Sequence, residues 1–266
     1  MRTMTQSRRF SGMRGFTVVW VGQFVSMLGT FMSQFALTIW AWQTTGEATV
    51  LALTGLSFVL PNILLYPVAG ALVDRWNRKL VMMLSDLAAA VSTAVVLTLL
   101  LAGRLEIWHL YATGAFAGLF QAFQFPAYSA AISTMLHKDQ YGRASGMLSL
   151  AQNTSGILGP VAAGILLTLV GTSGLLFFDL ITFAVAIGAL LIVHIPQPQP
   201  SVTETEKRSL LEDSLFGFRY IFERPGLLGL QLVFFFLNFT GSMCFPLFAP
   251  MILSRTGDNI VILGTV

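Results

Sequence analysis

GFTVVWVGQFVSMLGTFMSQFALTIWAWQTTG, residues 15–46, contains no Asp, Glu, Lys or Arg. A helix rises about 1.5 Å per residue, so about 20 apolar residues cross the roughly 30 Å hydrocarbon core of a bilayer. This run is long enough to do so, and it is repeated along the chain. Further spans are expected at Val50–Val73, Leu80–Leu101, Ile107–Leu136, Gly142–Val170, Gly174–Ile195 and Leu227–Leu253, the first covering Phe16–Trp42. Each greatly exceeds the roughly 9–11 residues of a barrel strand, so the expected fold is an all-α, polytopic transmembrane helix bundle. Composition agrees: 55% of residues are hydrophobic and 10% charged, against about 25% charged in soluble domains, and mean hydropathy is +0.75. Helices apolar all round cannot all be buried in one soluble core, whereas lipid covers them. Pro61, Pro67, Pro126, Pro160 and Pro246 lie inside spans, where neighbouring helices can re-satisfy the freed backbone groups.

The net charge of +3 and pI near 9.3 do not signal nucleic-acid binding, because the basic residues are dispersed between apolar runs. Their order is informative instead. Arg2, Arg8, Arg9 and Arg14 precede the first span, Arg75, Arg78 and Lys79 follow the second, Lys138 and Arg143 follow the fourth, and Lys207, Arg208, Arg219 and Arg224 follow the sixth. Only Arg104 and Arg255 lie in the alternate segments. The positive-inside rule then places the N-terminus and the Thr203–Arg224 loop in the cytoplasm of a multi-pass protein of the cell (plasma or inner) membrane. Cys244 is the single cysteine and His109, His137 and His194 are scattered, so neither an intrachain disulfide nor a metal site is expected. No signal peptide, nucleophile–base pair or phosphate-binding loop is evident, and neither an enzyme nor a cofactor is expected.

Three parts follow: a six-helix bundle over 1–195, a cytoplasmic linker over 196–226, and the start of a second bundle over 227–266, in which Ile260–Val266 reads as the opening of a truncated eighth span. Leu211, Leu215, Phe218 and Phe222 recur at helical spacing in the linker, as expected of a helix lying on the inner membrane surface. Six spans, a linker and a further span outline a two-half transporter interrupted early in its second half. It would need a missing C-terminal half or a second copy for a complete cavity. A non-transporting membrane protein, whether a degenerate fragment, receptor or assembly partner, is the alternative.

The turn after the second span carries Gly70, Leu72, Asp74, Arg75, Arg78 and Lys79 at fixed offsets. They resemble the loop signature of the major facilitator superfamily, Gly-x-Leu-x-Asp-Arg-x-Gly-Arg-Arg/Lys, with Asn77 where the family commonly has glycine. Ser155-Gly156-Ile-Leu-Gly159-Pro160-Val-Ala-Ala-Gly164 in the fifth span resembles the glycine–proline motif of exporter branches. Trp20, Gly22, Gln23, Ser26 and Gly29, with Pro126-Ala127, Ala144 and Asn153, are similar to the subgroup of macrolide efflux proteins and the enterobactin exporter. The resemblance implies two six-helix halves of 3+3 inverted repeats around a cavity, and a cytoplasmic charge cluster that latches one state. It implies export of drugs, siderophores or similar amphipathic small molecules by alternating access, driven by an ion gradient with H⁺ as the coupling ion. The fourth span lacks the arginine that many proton-coupled members carry. Gly70 is expected to let helix ends approach closely, and Gly156, Gly159, Pro160 and Gly164 to allow tight packing. Gly114 and Gly118 form a further small-xxx-small pair.

Ionisable residues inside spans are functional candidates. Asp86, seven residues past Lys79, is expected to join Arg75 or Arg143 in the gate, with direct proton carriage as the alternative. Asp179, five residues past Gly174, is expected to be held by local hydrogen bonds, with proton carriage as the sharper reading. Gln23, Gln34, Gln121 and Gln124, among phenylalanines in the first and fourth spans, are the candidate substrate contacts.

Overall fold

The computed structural model describes residues 12–197, 219–257 and 262–263, and within 219–257 it describes the backbone alone at 242–246. The helices are α1 (Gly12–Thr45), α2 (Ala48–Arg75), α3 (Arg78–Leu101), α4 (Ile107–Met135), a continuous run Tyr141–Ile192, and α7 (Pro225–Thr256). A 3₁₀ turn, Lys138–Gln140, precedes the long run. That run is broken at Gly171, whose φ of 69° and ψ of 177° fit a residue without Cβ. It therefore comprises two helices, α5 (141–170) and α6 (172–192), matching the fifth and sixth expected spans. The linker helix and nearly all of the eighth span fall outside the described residues.

Contacts set the directions. Trp20 bonds to Met147 and Gly159 abuts Phe31, so α1 and α5 ascend together. Gly22 faces Ala189, Gly29 faces Thr182 and Ser33 bonds to Leu175, so α6 descends beside α1. On α4, Ser85 meets Phe120 and Arg78 meets Ala130, antiparallel to α3, while Gly114 and Gly118 run parallel to α2 at Ser57 and Phe58. The six helices thus alternate up and down. The Gly114/Gly118 stripe earns its place: a Cβ at Gly118 would collide with the Phe58 carbonyl.

Four stretches are long and apolar enough to cross a membrane: Gly12–Thr45, Ala48–Arg75, Arg78–Leu101 and Lys138–Ile192, the last of 55 residues and long enough for two crossings. α4 has spanning length at 29 residues, but Gln121, Gln124 and its small residues dilute its hydropathy. One core cluster packs Phe16, Val73, Met82, Tyr128, Leu136 and Leu190 near the α2–α3 turn. A second, with Ala41, Leu51, Val96 and Leu110, fills the opposite end. Outside, Leu64, Leu84, Ile157, Leu169 and Phe177 are among many exposed large apolar side chains. A bundle with an apolar exterior of this extent belongs in lipid. α7 rests lightly on α2.

Candidate functional site: the charged turn and two buried aspartates

The α2–α3 turn is two residues long, Trp76 and Asn77. Asn77 caps α3: its side-chain oxygen accepts from the Leu80 amide at 3.2 Å and from Gln197 Nε2 at 3.1 Å. Capping by Asn satisfies an otherwise orphaned helix N–H. Arg78 is 8% exposed and donates from Nη1 to the Ala130 carbonyl at 2.8 Å. Lys79 Nζ donates to the carbonyls of Leu191, at 3.1 Å, and Val193, at 2.9 Å. Lys79 serves the C-terminal end of α6, where carbonyls lack intrahelical partners and the helix dipole favours positive charge, whereas Arg78 meets α4 five residues before its end. The turn therefore fastens α3 to α4 and α6.

Asp74 is exposed and makes no hydrogen bond among the described residues, while Gly70 faces open space rather than a closely approaching helix. The close approach expected at Gly70 is thus not made within this bundle. It occurs instead at Gly159, where a Cβ would lie 2.6 Å from Phe31 Cβ on α1. Gly164 is buried and Pro160 half-buried on the same helix, and Gly156 makes only an ordinary contact with Phe31.

Asp86 is 5% exposed and does not pair with Arg75 or Arg143. Its Oδ2 accepts from Gln23 Nε2 at 2.7 Å and its Oδ1 from Gln124 Nε2 at 3.0 Å. Gln124 Nε2 also donates to Gln23 Oε1 at 3.0 Å. The expectation of an arginine partner fails for a geometric reason: α3 turns this face toward α1 and α4, about two turns beyond the charged residues. Two of the four candidate substrate glutamines are consequently committed inside the bundle, while Gln34 and Gln121 are exposed. Tyr128, one turn beyond Gln124 on α4, is 8% exposed, and its hydroxyl has no partner. It lies within electrostatic reach of Asp86.

Asp179, 1% exposed, sits at the other level of the bundle. Its carboxylate accepts from Thr30 and Thr93 at 3.3 Å each and from Thr182 at 3.4 Å. Gly29 makes room for it, since a Cβ there would collide with the Thr182 hydroxyl and lie 3.0 Å from Asp179 Oδ1. Thr182, three residues on along α6, is a local partner of the kind expected, and Thr30 of α1 and Thr93 of α3 add tertiary bonds. A separate open groove of about 720 Å³ between α1 and α6 is lined by Met13, Val18, Val21, Gly22 and Val185, and by none of the four glutamines. No cluster of three or more metal-ligating side chains occurs among the described residues.

A polytopic helix bundle with a two-residue turn flanked by charged residues and carboxylates buried among amides and hydroxyls has the make-up of a membrane transporter. The family model of the Major Facilitator Superfamily matches residues 19–266, and the chain belongs to that superfamily. It is 26% identical over 250 residues to macrolide efflux protein A of Streptococcus pyogenes, covering 93% of this chain and 62% of that protein. It is also 26% identical to the MFS-type transporter YfiS of Bacillus subtilis (strain 168), over 86% of this chain and 55% of that one. The multidrug resistance protein MdtG of Salmonella typhi is 29% identical over 58% of the chain and 38% of its own length. The fold is similar to a bacterial homologue of the human lysosomal transporter Spinster, in an inward-facing and unoccupied conformation, with a TM-score of 0.70 and 16% identity. That likeness covers 96% of this chain and 59% of the solved one. The chain thus spans roughly three-fifths of the length of macrolide efflux protein A, YfiS and the solved structure.

Proposed function

We propose that this chain forms the N-terminal part of a secondary active exporter of drugs, siderophores or similar amphipathic small molecules. It works by alternating access driven by a proton gradient, with the α2–α3 turn on the cytoplasmic face of the cell membrane. The observation that carries the export reading is the likeness, along 93% of the chain, to a macrolide efflux protein. The distribution of Lys and Arg supports the orientation. Gly70, Leu72, Asp74, Arg75, Arg78 and Lys79 are assigned to the gate, Gly156, Gly159, Pro160 and Gly164 to packing of the first bundle, and Gln34 and Gln121 to the substrate cavity. Gln23 and Gln124 are assigned there only in states that release Asp86. A complete cavity takes a second six-helix half or a second copy of the first.

In this reading Asp74 is the movable element of the gate. Arg78 and Lys79 are spent on α4 and α6, which leaves the Asp74 carboxylate to meet a helix end or cation of the other half. The test is accumulation of a radiolabelled macrolide in cells that express the protein from its own gene. Asp74→Asn should cut export about tenfold, the equivalent of one charge-assisted hydrogen bond, with the protein still in the membrane. Undiminished export by Asp74→Asn at equal protein level removes the gate assignment. Absence of macrolide export by the unaltered protein, across a panel of amphipathic compounds, removes the export reading.

A further inference from the structure

The two buried aspartates are joined by a polar seam. On α1, Gln23, Ser26, Thr30 and Ser33 are spaced three, four and three residues apart, which is one helical stripe. All but half-buried Thr30 are buried. On α3, Asp86 and Thr93 are seven residues apart and face the same seam. At one end Gln23 bonds to Asp86, and at the other Thr30 and Thr93 both bond to Asp179. From one level to the next both helices advance seven residues, roughly 10 Å of rise. The apolar clusters of the core lie at either end of this seam.

Neither carboxylate is paired with a cation among the described residues. α1 carries no Asp, Glu, Lys, Arg, His or Tyr between Gly15 and Thr45, and α6 carries none over 172–192 apart from Asp179 itself. The titratable group that faces Asp86 from α4 is Tyr128. On α3 itself, Arg78 is eight residues back and bonded to Ala130. The groups that face Asp179 from α1 and α3 are hydroxyls. A lone buried carboxylate is costly in hydrocarbon and persists in spans chiefly where ions or protons pass. The buried, unpartnered Tyr128 hydroxyl, within electrostatic reach of Asp86 and one turn from Gln124, is the second sign. A buried polar atom without a protein partner is met most simply by water, and water is what a proton needs to reach or leave the carboxylate.

We propose that the six-helix bundle contains its own proton path, running along the α1–α3–α6 seam between Asp179 in the outer half and Asp86 in the cytoplasmic half. This rests on the proposed orientation and proton coupling, and it places the coupling site inside the first bundle rather than in the substrate cavity. A proton taken up from outside binds an Asp179 oxygen, giving the neutral acid. It moves along the hydroxyls and water to an Asp86 oxygen, restoring the Asp179 carboxylate. It then leaves past Tyr128 to the cytoplasm, restoring Asp86. Amide nitrogens face Asp86 and hydroxyl hydrogens are turned toward Asp179, so these shells suit a carboxylate that gains and loses a proton better than one that ligates a metal cation through oxygen.

The experiment is infrared difference spectroscopy of the full chain in lipid nanodiscs, titrated from about pH 4 to about pH 9, with no substrate added. Two protonated-carboxyl bands are expected, one lost in Asp86→Asn and the other in Asp179→Asn. Two unit charges roughly 10 Å apart at an effective dielectric near 20 are coupled, so either replacement should displace the midpoint of the surviving band by about one pH unit. Should the Asn variants fail to fold, Thr93→Val and Tyr128→Phe keep both carboxyls and should each displace one band. Bands that do not titrate, or that titrate independently of each other, overturn the path. A titration displaced by sodium at constant pH overturns it in favour of a metal cation. Since no substrate is involved, these results stand apart from the macrolide assay: the path can fail while export holds, and the reverse.

Discussion

Asn77 stands where the resembled signature has glycine, yet its φ of −69° lies in a region open to any residue. What the position uses is a side-chain acceptor for the Leu80 amide. Asn77→Ala should therefore cost about 1 kcal/mol and Asn77→Gly only a few tenths, read as shifts in thermal unfolding in detergent. A larger loss for glycine than for alanine would contradict the capping role. Gln23→Leu should cost more, about 1–3 kcal/mol, because it leaves an oxygen of buried Asp86 without its donor; Gln34→Leu, at an exposed site, is the control. That Asp86 and Asp179 lie within the helical spans was legible from charge within apolar runs. Their partners were not. Gln23 and Gln124 lie 63 and 38 residues from Asp86 along the chain, and which glutamines turn inward depends on the rotation of α1 and α4 about their axes. Periodicity cannot supply that when the whole helix surface is apolar.

Helices were the most legible level, because length without charge needs only composition. α1 extends beyond the expected Phe16–Trp42 at both ends, since Met13, Arg14 and the residues after Trp42 continue the helix into the interface. The fifth and sixth spans were expected as separate runs, and Gly171 divides them by one positive-φ residue rather than by a loop. The glycine motifs were read as packing devices, and the helices they meet explain which matter. Gly118→Leu drives a side chain into the α2 backbone, and Gly159→Leu drives one into Phe31 on α1. Each should destabilise by about 1–3 kcal/mol or more, whereas Gly70→Ala and Gly146→Ala, facing open space, should leave the melting temperature unchanged. Equal losses at all four positions would mean that glycine acts here through the helix backbone and not through fit.

For the molecule as a whole, the proposed orientation rests on basic residues that gather at one end of alternating helices. Reporter fusions after Arg78 and after Arg219 should both report cytoplasm, and one at Gly46 should report the outside. A split between the first two would reverse the reading of every loop. The order of the six helices in space, with α1 beside α5 and α6 and α2 beside α4, was reachable from sequence only through family resemblance, because long-range packing leaves no periodic mark in uniformly apolar spans.

At the end opposite the charged turn, α1 passes to α2 through Gly46 and Glu47, α3 to α4 through five residues, 102–106, and α5 to α6 at Gly171. Clipped corners of this kind leave almost no protruding surface. Antibodies, phage or large inhibitors arriving from that side would find little to grip in this bundle, and epitope tags inserted there would have to be carried by the 102–106 turn.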